Sequence, residues 1–67
     1  MSIEKIGKNA GNIWKTLKEH GQMSSNALKK TTHLSEKDVN MGLGWLAREN
    51  KLSFEQKGNQ TLISLTE

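Results

Sequence analysis

The side chains of this sequence best suited to chemistry lie in one stretch, LSEKDVNMGLGWLAREN, from Leu34 to Asn50. At 100° per residue Lys37, Met41, Gly44 and Arg48 share one helical face, flanked by Asn40 and Trp45. The Lys37 ammonium and the Arg48 guanidinium suit phosphate oxygens, and the Asn40 amide can pair with the major-groove edge of adenine. Lys57, beside Gly58 in a turn, is the cation that a projecting hairpin tip would carry. The same face offers a second chemistry. Met41 and Trp45 stand one turn apart with Gly42 and Gly44 beside them, and an outward Trp next to glycines suits docking to protein. Glu36 and Asp38 oppose the first chemistry, because they put negative charge at the start of the helix, and Arg48 is the only arginine.

Catalytic chemistry finds little support. His20 and His33 are the only histidines, cysteine is absent, and no carboxylate pair stands at helical spacing with either histidine. His20 reads as an exposed residue near a helix C-terminus. Asp38 is better explained as a capping residue, and glycines 42, 44 and 58 are too scattered for a phosphate loop. The expectation is a protein that is no enzyme, with no metal, no cofactor and no small-molecule ligand implied.

Those residues need elements to hold them. Ser35 is placed to cap a helix, with Asp38 three residues on as a shorter substitute for the Glu of a capping box. Leu34 and Val39 stand at staple spacing. Val39, Leu43 and Leu46, with Ala47 beside them, form an inward stripe, and Asn50 is a stop that tolerates a left-handed backbone. Ahead of it, Ser2 caps a first helix running to about His20, with Glu4 near the positive end of its dipole. Its inward face is Ile3, Ile6, Ala10, Ile13, Trp14 and Leu17; its outward face carries Lys8, Lys15 and Glu19. Gly7 and Gly11 bracket Ala10 as a smooth ridge, which predicts close approach of another backbone from within the domain or from a partner. Gly21 ends this helix in the left-handed conformation.

Met23 then predicts a one-residue strand turned inward, and Ser24 or Ser25 caps a short helix ending near Thr32 with only Ala27 and Leu28 apolar. Thr32-His33-Leu34 is a tight turn, with His33 where a positive φ is needed. After Asn50 the period becomes two: Leu52 and Phe54 alternate with Ser53 and Glu55, and Thr61, Ile63 and Leu65 with Leu62 and Ser64. Lys57-Gly58-Asn59-Gln60 joins them as a hairpin turn, Gly58 and Asn59 both tolerating positive φ.

The 67 residues suffice for one domain, 1–67, near the lower size at which a core holds without staples. Lack of cysteine suits a reducing cytoplasm, and no apolar run approaches the ~20 residues of a membrane helix. A formal charge of +3 permits an anionic partner, although nine of the ten basic residues are lysines spread along the chain.

The order helix, short strand, short helix, turn, capped helix, hairpin resembles the winged helix-turn-helix fold across essentially the whole chain. Met23-Ser24, Leu28, His33-Leu34-Ser35, Val39, Leu43, Leu46 and the run GWLARENKLSF from Gly44 to Phe54 carry the resemblance. More narrowly, IGKNAGNIW together with GWLAR is similar to a group of small stand-alone bacterial winged helix-turn-helix domains of unknown function. His33 and Asn50 stand where glycines are usual. The resemblance implies an α+β fold of three helices with a C-terminal β-hairpin wing. It also implies DNA binding in transcription-related regulation through Lys37, Asn40, Arg48 and Lys57, with double-stranded DNA as partner. The alternative is a winged helix used for protein association, as homodimer or adaptor, through Met41, Gly44 and Trp45. For Trp45 two further arrangements stay open, folded onto the wing or the first helix where it merely closes the core edge, or stacked on a base.

Overall fold

Capping chemistry divides the chain before any packing is considered. In the computed structural model, which describes residues 3–66, the elements are α1 (Ile3–His20), β1 (Met23–Ser24), α2 (Ser25–Thr32), α3 (Glu36–Arg48), β2 (Leu52–Lys57) and β3 (Gln60–Leu65). The expected Ser2 cap lies outside the described residues. Gly21, at φ +77°, closes α1 by donating its N–H to Leu17 O at 2.8 Å. Of the two serines open to α2, Ser24 is the cap: its Oγ accepts from Ala27 N–H at 3.1 Å. His33, at φ 60°, ends that helix with its N–H on Lys29 O. Ser35 Oγ accepts from Asp38 N–H at 3.1 Å, but the Asp38 carboxylate makes no return bond to a described residue. A single-carbon side chain is too short for the reach that Glu makes in a full box. At the far end Asn50 stands at φ 58°; its N–H meets Ala47 O at 3.0 Å and Lys51 N–H meets Leu46 O at 3.1 Å. That crossed pair is a Schellman closure with asparagine in the usual place of glycine.

The strands form one antiparallel sheet in the order β1-β3-β2. β1 holds two residues rather than the expected one, with Met23 opposite Ile63 and Ser24 opposite Leu62. The hairpin is longer than the apolar alternation marked, running to Lys57 opposite Gln60. Only Gly58 of its two turn residues has positive φ, the pattern of a type II′ turn, so Asn59 does not use the freedom expected of it.

Ile13, Leu17, Leu28, Val39 and Ile63 are the largest fully buried side chains, joined by Ala10, Leu43, Leu46 and Leu52. α1 and α3 share the widest interface between helices, and Gly42 is the reason they come so close. A Cβ on Gly42 would lie 2.6 Å from Ile13 Cδ1 and 3.4 Å from the Ala10 backbone nitrogen. The close approach expected at Gly7 and Gly11 is therefore made by a different glycine on the opposite helix, one expected beside Met41 and Trp45 on the outward side but buried against α1 instead. Two apolar residues expected inside are outside. Ile3 is 72% exposed, because burial along α1 begins only at Ala10 and its first turns overhang the core. Phe54 is 51% exposed although it pairs with buried Ile63, because β2 is the outer strand and only Leu52 at its root is buried.

Candidate nucleic-acid interface

α3 is fixed from within. Val39, Leu43 and Leu46 anchor it in the core, Gly42 seats it on α1, and the Ser35 and Asn50 closures set its ends. Because 3.6 residues make a turn, anchoring that stripe presents the other side to solvent. Lys37, Asn40, Met41, Gly44 and Arg48 are all exposed there. Lys37, Asn40 and Arg48 make no side-chain hydrogen bond or ion pair with a described residue, so their polar ends are free to meet a ligand. Lys57 ends β2 beside the Gly58 turn and is exposed at the tip of the hairpin.

The negative charges noted in the sequence stay at the entry to α3. Glu36 is exposed in the first turn, and Asp38 is half-buried. Lys51, not singled out among the expected contacts, follows the left-handed Asn50 and is exposed at the other end of the helix with Arg48. Charges of both signs thus stand at each end of the helix, Glu36, Lys37 and Asp38 at its start and Arg48, Glu49 and Lys51 at its end.

Met41 and Trp45 part company. Met41 is 42% exposed on the outward face, whereas Trp45 is half-buried and packed against the core. Trp45 borders a groove between α1 and α3, with Gly7, Gly11 and Trp14 on the α1 side. Trp45 is thus folded in beside the first helix rather than directed outward with Met41. Gly44 is exposed, and a Cβ added there would meet no neighbouring element within 4 Å.

His20 and His33 are both exposed, and His33 serves the backbone as a helix end. Among the described residues no three His, Cys, Asp or Glu side chains gather to hold a metal ion, and no helix is long and apolar enough to cross a membrane. The free polar groups gathered on α3 can do non-covalent work: hydrogen bonding and charge neutralisation along a surface.

Comparison with known proteins bears on that arrangement. A family model described as a winged helix-turn-helix domain (DUF2582) matches residues 1–65. Among solved structures the chain is similar to protein BT2368 from Bacteroides thetaiotaomicron, determined by solution NMR. The two share 35% identity and a TM-score of 0.88, over 97% of this chain and 79% of that one. No curated protein matches the chain.

Proposed function

The chain belongs to the DUF2582 family of winged helix-turn-helix domains, and from that premise we propose that residues 1–67 act as one domain binding double-stranded DNA in transcription-related regulation. The observation that supports this reading most is the outward face of α3. Three side chains of the right types for phosphate and base edges, Lys37, Asn40 and Arg48, are exposed there without partners among the described residues. In this mode α3 enters the major groove, Lys37 and Arg48 take phosphates, and Asn40 reads adenine. Lys57 reaches the adjoining groove from the hairpin tip. The module is non-enzymatic and works in the reducing cytoplasm, in keeping with a cysteine-free chain.

With so few cations the affinity of one copy is weak and strongly salt-dependent. Lys37→Ala and Arg48→Ala each lower affinity for every duplex and flatten the slope of log K against log salt by about one unit. Asn40→Ala relaxes preference at one base pair and leaves the salt slope nearly unchanged. Anisotropy titration of a labelled mixed-sequence duplex at about 50 mM salt is the check. Absence of binding by the parent protein under that condition overturns the reading. The second reading, protein association in place of DNA contact, is favoured by the exposed Met41. It predicts that Met41→Ser abolishes capture of a protein partner and that Lys37→Ala does not.

A further inference from the structure

We propose that α1 is a self-association face: two copies pair through antiparallel α1 helices over the Gly7–Gly11 segment, covering the groove that each copy forms between α1 and α3. The proposal stands on groove shape and charge, independently of the DNA reading.

The groove has a volume of about 330 Å³, with Gly7, Ala10, Gly11 and Trp14 along α1 and Trp45, Leu46 and Lys51 across from them. Within the monomer nothing accounts for two glycines one turn apart in a helix, since a Cβ on either meets no atom within 4 Å. Each glycine weakens the helix relative to alanine. What they supply is a flat strip on which another helix backbone can lie close, and the flanking tryptophans supply the wide, rigid apolar contact common at association sites.

Charge names the occupant. On the same flank of α1, Glu4 lies about one turn before Gly7 and Lys15 one turn after Gly11, and both are exposed. When Gly7 of one copy lies opposite Gly11 of the other, antiparallel packing brings each Glu4 to the turn that carries its partner's Lys15. A twofold axis makes that contact twice with one set of residues. The two helix dipoles then also run head to tail. Ile3, 72% exposed at the overhanging start of α1, comes to the Trp14 end of the opposite groove. In each copy Lys18 stays over the Trp14 ring, 4.8 Å from its centroid, and leaves Lys15 as the cation that meets Glu4. A second copy of this chain therefore matches the face in shape and apolar content and pairs Glu4 with Lys15 twice, while the exposed Lys8 on the same flank of each copy has no anionic counterpart. An interface resting on one 18-residue helix per copy is small, so the pairing belongs to the weak class of specific contacts.

The experiment is sedimentation equilibrium of the parent protein from roughly 1 µM to 1 mM, read beside tryptophan emission. Trp14 and Trp45 are the only tryptophans. Pairing dries both, so emission moves to the blue as dimer forms. Gly11→Gln places a side chain in space that is open in the monomer and closed in the pair; it raises the dissociation constant about tenfold or more while the fold is retained by circular dichroism. Glu4→Lys alone weakens pairing by a factor of about three to ten, and Glu4→Lys with Lys15→Glu restores it. A parent that stays monomeric throughout overturns the proposal and leaves the groove to a helix of another protein. A dimer indifferent to both Gly11→Gln and the charge exchange overturns it as well, by putting the interface elsewhere.

Discussion

Gly42 and the pair Gly7 and Gly11 sit on adjacent helices, and their surroundings differ in kind. At Gly42 a single added carbon would come within 2.6 Å of Ile13 Cδ1, with Ala10 backbone just behind; at Gly7 or Gly11 it would meet nothing within 4 Å. The first glycine is required by packing inside the domain: it lets α3 lie against Ala10 with no side chain between them. The other two are not required by anything inside. A glycine in a helical pattern marks a possible close approach, but the pattern alone does not say whose backbone approaches. Comparing the two sites separates a residue retained for folding from residues available for contact with something else.

The comparison can be broken most severely next to Gly42. Leu43→Ala removes volume from the core edge of α3, where Leu43 is 7% exposed. Lost burial plus the residual cavity destabilise by about 2–5 kcal/mol, a large part of the stability of a domain this size. Urea denaturation followed by circular dichroism measures it, and coincident curves for variant and parent would disprove the packing described for α3. Gly42→Leu does the opposite at the adjacent position, forcing volume into the α1–α3 contact, and costs about 1–3 kcal/mol on the same assay. A sharper form uses the named clash. Gly42→Ala strains Ile13 Cδ1, and Ile13→Val removes that atom. The double variant is then more stable than the two single losses predict, by roughly 0.5–1 kcal/mol of coupling. Additive behaviour would mean that the 2.6 Å contact is not what excludes a side chain at 42.

The smallest effect has the opposite sign. Gly7→Ala and Gly11→Ala each raise the stability of the monomer by about 0.5–1 kcal/mol, because the added methyl meets no atom and the helix gains propensity. Melts at low protein concentration isolate this gain from any association. A loss of stability there would erase the distinction between the two glycine sites.

Legibility in the sequence follows the range of the forces involved. His33 and Asn50, both left-handed, and Ser35, a cap with its Oγ on Asp38 N–H, were readable because their chemistry is satisfied within a few residues. The exposed positions of Lys37, Asn40 and Arg48 were readable too, since a helix anchored by Val39 and Leu43 can present only one opposite face. Phe54 marks where this stops. Alternation correctly puts it on the same sheet face as Ile63, but how far the helices extend over that face is a tertiary matter, and β2 outruns them. Ile3 fails likewise at the other end of α1. Trp45 depended on the crossing of α1 and α3, and that crossing is governed by Gly42, whose role no spacing rule on one helix could show. At the candidate interface, residue types and exposure were legible, while the choice among the arrangements open to Trp45 was not.

The pairing of Met23 with Ile63 has a consequence for how the protein comes off the ribosome. Chain is made from the N-terminus at roughly 5–20 residues per second, so all three helices emerge ahead of β3. Ile63, 1% exposed, belongs to the same buried cluster as Ile13, Leu17 and Leu28, and it follows every helix of the domain. Until then those three side chains lack one wall, and the central strand that links β1 to β2 is missing. Closing that long loop is a single late event. Nascent chains halted before Gln60 therefore remain protease-sensitive and apolar on one side, however well their helices form. Emergence of β3, rather than synthesis of any one helix, is the moment at which the domain becomes resistant.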